Sequence, residues 1–234
     1  MKKDSLLSKE LYNKQFKEFS EKQTQYKVVQ ELKNKVNIEF LTNIENKSVL
    51  FAGCGDGREC IYASEQKAKV TGIDISEKGI ELAQKNCPNA DFFVMDIEDM
   101  RFDNNHFDII ISLFVIMYKE NLTNVLLEYQ RVLKDKGFII IVVPHPIRKM
   151  IKYNDGNYFV KGKKNENWRG IKRFGYYRLI EDYVSSFTSS DLKLIELMEP
   201  KPIKESPNIS DFDVSYPHFL IFKLVKDHDD QKML

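Results

Sequence analysis

The sequence is poor in cysteine: Cys54, Cys60 and Cys87 are all there is, and no two of them form a Cys-x-x-Cys pair. An odd count at such spacings excludes a disulfide framework and points to a reducing compartment, the cytoplasm. Charge of one sign is missing too. Lys and Arg number 36 against 35 Asp and Glu, a formal net charge of +1, so no global field drives the chain onto nucleic acid or an anionic membrane. No apolar run approaches the roughly 20 residues that span a bilayer. The opening Met1-Lys2-Lys3-Asp4-Ser5 leads into mixed polar sequence and not into an apolar h-region, so no secretory signal is expected. Internal repeats and low-complexity stretches are absent. The four histidines, His106, His145, His218 and His228, are scattered, which offers no metal cluster. What is present is ordinary globular composition, 42% hydrophobic and 30% charged. The length is enough for a single domain, 1–234, with a substantial core.

The pattern of apolar residues divides the chain. Residues 8–41 carry Leu11, Tyr12, Phe16, Phe19, Val28, Val29, Leu32 and Val36 at helical spacing, which predicts one or two amphipathic helices, an N-terminal cap over 1–45. This cap packs on the edge of the core; Tyr12 and Phe16 are also placed to close over a ligand. Short apolar runs then alternate with amphipathic segments. Strands are predicted at Ser48–Ala52, Lys69–Asp74, Asp91–Asp96, Phe107–Leu113 and Phe138–Val143. Between them lie helices at Arg58–Lys67, Ser76–Asn86 with Ser76 as N-cap, and Leu122–Lys134, the last closed by a glycine cap at Lys136-Gly137. Such repetition implies a parallel sheet with helices on both faces. Right-handed crossovers put all strand C-termini on one edge, where ligands bind. Residues 146–178, rich in glycine, aromatics and Lys/Arg, interrupt the pattern. A helix over Leu179–Phe187 and strands at Leu192–Met198 and Phe219–Val225 follow, with a frayed end over 226–234.

One turn carries the chemistry. Gly53-Cys54-Gly55-Asp56-Gly57 leaves the first strand and enters a helix. Its glycines permit a tight turn and close approach of a ligand to bare backbone, and the helix N-terminus favours a carboxylate or phosphate. Asp74 ends the second strand, where an acid can accept both hydroxyls of a ribose. Asp96-Ile97 follows the third, near where an adenine would lie, with Ile75 and Ile97 able to sandwich that ring. Each acid has a plain alternative as a helix cap or turn residue.

These residues resemble the class I S-adenosylmethionine-dependent methyltransferases. That family's first-strand signature has the form Val-Leu-Asp-x-Gly-Cys-Gly-x-Gly, and here Val49 to Gly57 stands in its place. The second motif is Val70-Thr71-Gly72-Ile73-Asp74-Ile75-Ser76, the third Asp96-Ile97, the fourth Phe107-Asp108-Ile109-Ile110. Glu128 to Lys134 matches the helix before the fifth strand. The resemblance covers about Ser48 to Val143. It implies a Rossmann-like α/β three-layer sandwich: a seven-stranded, mostly parallel sheet of order 3-2-1-4-5-7-6 closed by an antiparallel hairpin. It implies S-adenosyl-L-methionine as cofactor, with Gly53, Cys54, Gly55 and Gly57 facing its methionine part, Asp74 holding its ribose, Asp96 meeting its adenine amino group, and Leu113 beside it; Ile75 and Ile97 remain the candidates that sandwich the ring. One departure matters. The acid usual at the end of the first strand is Phe51 here, so the anchoring of the glycine loop and of the methionine ammonium must differ; Asp56 is a candidate to compensate.

A sulfonium methyl needs little beyond an in-line nucleophile, so positioning can supply most of the rate. A general base is needed only for a protonated acceptor. His145, just after the fifth strand, is the candidate catalytic residue; the alternative is a histidine that fixes the loop. The stretch 146–178 resembles the substrate lid of small-molecule methyltransferases, in which His145-Pro146, Trp168 and Tyr177-Arg178 would shape the acceptor pocket. Tyr12, Tyr118, Trp168, Tyr177 and Arg178 are therefore the substrate candidates, Arg178 for an anionic group through two parallel bonds. The partner expected is a small molecule, taken up by a monomer or homodimer. The rival reading is nucleic-acid methylation along the basic aromatic stretch. Against it, Ser112-Leu113-Phe114-Val115 stands where amino-directed nucleic-acid enzymes carry Asn/Asp-Pro-Pro-Tyr/Phe, and no Pro-Cys pair is present. A nicotinamide dehydrogenase fits worse, because Gly-x-Gly-x-Gly is not its Gly-x-Gly-x-x-Gly fingerprint. A binding protein that keeps the pocket without catalysis stays open.

Overall fold

The computed structural model describes residues 2–201 and 213–227; of the expected frayed end, 228–234 lie outside them. Among the described residues, nine strands and seven α-helices are arranged around a seven-stranded sheet of order β3-β2-β1-β4-β5-β9-β8. The strands are β1 (Ser48–Ala52), β2 (Lys69–Asp74), β3 (Asp91–Val94), β4 (Phe107–Leu113), β5 (Leu133–Pro144), β8 (Leu192–Met198) and β9 (Phe219–Lys226). This is the expected order: a separate hairpin, β6 (Gly162–Trp168) and β7 (Ile171–Tyr177), shifts the last two strand numbers. Strands β1 to β5 pair in parallel, Val49 facing Val70 on one side and Ile109 on the other. Strand β9 runs antiparallel to both β5 and β8, with Val142 opposite Ile221.

Alternation along the central strands builds a core on each face. Leu50, Ile110, Ile139 and Ile141 point to one side, where α5 (Leu122–Val132) and α7 (Ile180–Thr188) bring Leu126, Tyr129, Tyr183 and Phe187. Val49, Phe51, Ile109, Ile111 and Ile140 point to the other. There α2 (Lys27–Phe40), α3 (Arg58–Glu65) and α4 (Glu77–Asn86) bring Leu32, Val36, Cys60 and Ala83. Leu50 and Ile110 are wholly buried, and each such side chain contributes about 1.5–3 kcal/mol from apolar burial. The three cysteines are free and buried in or beside this second core.

Helix α1 (Lys3–Gln25) crosses the C-terminal edge of the sheet and breaks from α2 at Tyr26. Ser76 caps α4 by accepting the Gly79 amide at 3.1 Å, as its sequence position predicts. The glycine cap expected at Lys136-Gly137 is not formed. Helix α5 stops at Val132, and β5 begins at Leu133. Gly137 instead lies within β5, where a Cβ would come 2.7 Å from the Asp108 carbonyl oxygen and from Leu133 Cδ1. The ladder between β4 and β5 shifts register between Phe107 and Ile109, so glycine here permits close approach at a bulge. Strand β3 also ends earlier than expected, at Val94, leaving Met95 and Asp96 in the following loop. Residues 146–178 form α6 (Pro146–Tyr153) and the β6–β7 hairpin, held together by a buried group of charges. Glu166 pairs with Lys149 and, at 3.1 Å, with Arg173. Burial pushes the Lys149 ammonium down to about 8 despite the neighbouring carboxylate.

Candidate functional site

The sheet turns its strand C-termini toward a cavity of about 1050 Å³, mouth included, roofed by α1. Strand β1 leaves at Gly53, whose φ of +83° suits glycine, and a Cβ there would fall 2.2 Å from Val115 Cγ2. The Gly53 and Cys54 amides both donate to the Ile73 carbonyl, at 2.8 and 2.9 Å. Gly55 presents bare backbone to the cavity: a Cβ there would find only Phe16 Cζ, at 3.7 Å. Gly57 is placed differently from the expectation. It starts α3 at φ +74°, and a Cβ would sit 2.8 Å from Ala83 Cα, so it serves close packing of α3 on α4 and does not line the cavity.

Asp74 ends β2 in the cavity wall. Its Oδ2 accepts the Gly55 amide and its Oδ1 the Ser76 amide, each at 2.9 Å. Burial still holds its carboxyl above the usual range, against those hydrogen bonds. A carboxylate has about four acceptor sites, so capacity for a ligand remains beside the Gly55, Ser76 and Ile75 amides. Asp96 lies in the same wall with Oδ1 bonded to the Lys119 ammonium at 2.7 Å and to the Glu98 amide at 3.1 Å. Burial raises its carboxyl, but the Lys119 and Ser5 bonds and the Lys119 charge win, and the net shift is downward. Ile75, Ile97 and Leu113 supply apolar wall beside the two acids. The opposite side is aromatic: Tyr12, Phe16 and Phe19 from α1 face Phe114 and Tyr118. Tyr12 and Tyr118 meet edge to face at 5.5 Å. Phe114 takes φ +61°, a strained angle for an aromatic residue, at the end of β4.

The cofactor candidates Gly53, Cys54, Gly55, Asp74, Ile75, Asp96, Ile97 and Leu113 thus come together, with Tyr12 and Tyr118 from the substrate candidates. Four others do not. His145 is fully buried as the N-cap of α6. Its Nδ1 accepts the Ile147 amide at 3.0 Å and its Nε2 faces Glu199 Oε1 at 2.7 Å, so neither nitrogen is turned to the cavity and the general-base expectation is corrected to that of a loop-fixing residue. Arg178 donates to the backbone carbonyls of Lys119 and Glu120, the latter at 2.7 Å. That commits the fork expected to hold an anion. Trp168 packs on Phe19 at 5.3 Å and under the Arg173 guanidinium. Tyr177 is buried beneath the Lys149 ammonium. Both build the lid's interior.

Several cavity residues were not singled out from the sequence, among them Lys33, Glu59, Phe114 and Lys119. Lys33 did leave a signal, as a charged residue within the apolar stripe of Val29, Leu32 and Val36. Among the described residues, no cluster of His, Cys, Asp or Glu could hold a metal ion, and no helix is long and apolar enough to cross a membrane.

The chain matches a family model described as a methyltransferase domain over residues 50–141. It is 30% identical to the phthiotriol/phenolphthiotriol dimycocerosates methyltransferase of Mycobacterium leprae, over 46% of this chain and 42% of that one. It is 31% identical to the demethylmenaquinone methyltransferase of Thermotoga maritima, over 45% and 47%. The chain spans less than half the length of these two curated relatives. A crystal structure of an S-adenosylmethionine-dependent methyltransferase from Mesorhizobium loti superposes with a TM-score of 0.68 at 20% identity, covering 79% of this chain and 93% of that one.

Proposed function

We propose that this chain is a class I S-adenosylmethionine-dependent methyltransferase that moves a methyl group to a small-molecule acceptor. One observation carries the reading: two half-buried carboxylates, Asp74 and Asp96, share a cavity with the bare backbone of Gly53–Gly55 and an aromatic roof. The cavity's donor set suits a nucleoside joined to an amino acid. Asp74 would accept the ribose hydroxyls and Asp96 the adenine amino group, with Ile75, Ile97 and Leu113 against the ring and the Gly53–Gly55 backbone along the methionine part. When bound, the cofactor supplies an electrophilic methyl group on its sulfonium. The chain's own task is then positioning and exclusion of water. Tyr12, Phe16 and Phe19 close the cavity from α1, and Phe114 and Tyr118 give the acceptor a flat, apolar wall.

Support for a small acceptor comes from that enclosure and from the names of the relatives. An anionic acceptor group has weaker support, because Arg178 is occupied by backbone carbonyls. Two of the lid's aromatics count against the nucleic-acid reading: Trp168 and Tyr177 are 7% and 5% exposed and offer no stacking face to a base, while Phe159 is 76% exposed. Isothermal titration calorimetry with S-adenosylhomocysteine tests the proposal. The wild type should bind, and Asp74→Ala should bind at least about 100-fold more weakly, since two charge-assisted hydrogen bonds are lost. No binding by the wild type, or no effect of the substitution, would overturn it.

A further inference from the structure

Near its end strand β1 carries Phe51, a residue 3% exposed, where the cavity would be expected to carry an acid. Asp56 does not replace it, because its carboxylate is engaged by the Ser20 hydroxyl and, at 3.3 Å, by the Arg58 guanidinium. Charge enters the same cavity from the helices instead. Lys33 on α2 is 8% exposed. Its Nζ lies 2.5 Å from Oε1 of Glu59 on α3 and 3.2 Å from Oε1 of Gln23 on α1. Lys33, Glu59 and Gln23 all line the cavity, together with Phe51, Gly53 and Asp56.

A buried ion pair is a weak source of stability, since desolvation consumes most of the Coulombic gain and apolar residues of similar size often do as well. Lys33 interrupts an apolar helix face to make this one. Both partners also have bonding capacity left. An ammonium has three donors, of which Glu59 and Gln23 take two, and a carboxylate has about four acceptor sites. A cation and an anion side by side on a cavity wall, backed by the Phe51 ring, are complementary to a zwitterion. The α-amino-acid end of the cofactor is a zwitterion.

We infer that Lys33 and Glu59 clamp that end, Lys33 binding its carboxylate and Glu59 its ammonium, in place of the acid missing at position 51. The inference rests on the cofactor reading above. The two helices that carry the pair thereby sense whether the amino-acid part is present, and ligands with the nucleoside alone are discriminated against.

Two probes separate this inference from the reading beneath it. S-Adenosylhomocysteine has both halves; 5′-methylthioadenosine keeps the nucleoside thioether and lacks the amino acid. The double variant Lys33→Met/Glu59→Gln removes the pair without leaving a lone buried charge. By calorimetry, its affinity for S-adenosylhomocysteine should fall at least about tenfold, while its affinity for methylthioadenosine stays within about twofold of wild type. An equal loss for both probes would mean a structural role, and no loss for either would mean no role; each result overturns the clamp and leaves the cofactor reading intact. Failure of the wild type to bind either probe would overturn the cofactor reading itself, and the clamp with it. If the double variant does not fold, Glu59→Gln alone, which keeps an acceptor for Lys33, reads the same difference between the probes.

Discussion

The Lys119 ammonium stands 2.7 Å from Oδ1 of Asp96, inside the cavity wall and behind the roof helix. It also lies 2.9 Å from Glu98 Oε2 and donates to the Ser5 hydroxyl oxygen, so one buried lysine bridges two carboxylates and ties α1 to the sheet edge. Lys119→Met takes the paired cation from Asp96, while Glu98 keeps Lys2 at 2.8 Å. A loss of about 3 kcal/mol in unfolding free energy is expected at pH 7, the usual cost of removing one partner of a buried pair. The acid limb of stability should change with it. In the folded wild type the Asp96 carboxyl lies below its ordinary value, so its contribution is complete above pH ~4, the unfolded value, and disappears as pH falls through the folded one. Urea titrations at pH 7, 5 and 3.5 should show that decline in the wild type and a flatter one in the variant. Equal profiles would mean that Lys119 does not govern Asp96.

His145 tests a different coupling. Burial lowers its imidazole pKa and outweighs the upward pull of Glu199. A histidine whose folded value lies below its unfolded value stabilises the fold fully above pH ~6.5, and that stabilisation drains away as pH falls from there toward the folded value. His145→Asn retains an acceptor for the Ile147 amide and has no charge to gain. Its unfolding free energy should therefore decline less than that of the wild type between pH 7 and pH 5. Turnover, once an acceptor is in hand, should change less than about threefold; a drop of about 10² in a folded variant would return His145 to proton transfer.

The strands and the glycine turn could be read from the chain because both rest on local pattern, whereas the order of the sheet came from the family resemblance. Buried strands such as Phe107–Leu113 are nearly all apolar, and the turn at 53–57 concentrates glycines at positive φ. Asp74 was legible for the same reason, standing at the last position of a recognisable strand. What escaped depends on contacts far apart in sequence. Lys33 and Glu59 are separated by a strand and a turn and meet only through the packing of α2 on α3. Arg178 looked free for an anion because nothing local announces carbonyls 58 and 59 residues away. Gly137 looked like a helix cap because Lys-Gly is a common stop; the β4–β5 bulge that requires it is a tertiary feature.

Gly53→Ala probes the turn without touching a charge. Alanine at φ +83° is strained, and its Cβ would overlap Val115 Cγ2, so either the turn or the Val115 segment must move. A destabilisation of about 1–3 kcal/mol is expected, with S-adenosylhomocysteine binding weakened beyond what the lost stability explains. Gly162→Ala is the control: its φ is +88°, yet a Cβ there meets nothing within 4 Å. Backbone strain alone should therefore cost that variant about 1 kcal/mol, with no change in ligand affinity. Equal effects on binding at both positions would show that the turn's geometry does not matter to the ligand.

Helix α1 is held by an unusual kind of contact, and that sets its dynamics. Its buried residues are Asp4, Ser5, Ser8, Phe16 and Ser20, so a single large apolar side chain is buried along 23 residues. Leu7, Leu11, Tyr12 and Phe19 add partly exposed apolar contacts, and the rest is polar latching. Asn13 bonds Ser76 at 2.7 Å and Glu77 at 2.6 Å, and Asp4 accepts the Glu120 amide at 3.0 Å. Exchanging such bonds for water costs little, so α1 should open far more readily than the central strands, whose amides are freed only by global unfolding. A ligand that needs the roof closed shifts this opening by mass action, adding about 2.7 kcal/mol at a concentration of 100 Kd, or about 100-fold in exchange rate. Hydrogen exchange read by mass spectrometry should show fast exchange over residues 5–22 in the free protein and a slowing of up to that size with S-adenosylhomocysteine. Phe16→Ala should accelerate exchange in the free protein and reduce the slowing. Protection confined to residues 53–57, with α1 unaffected, would mean that the helix is not part of the closed site.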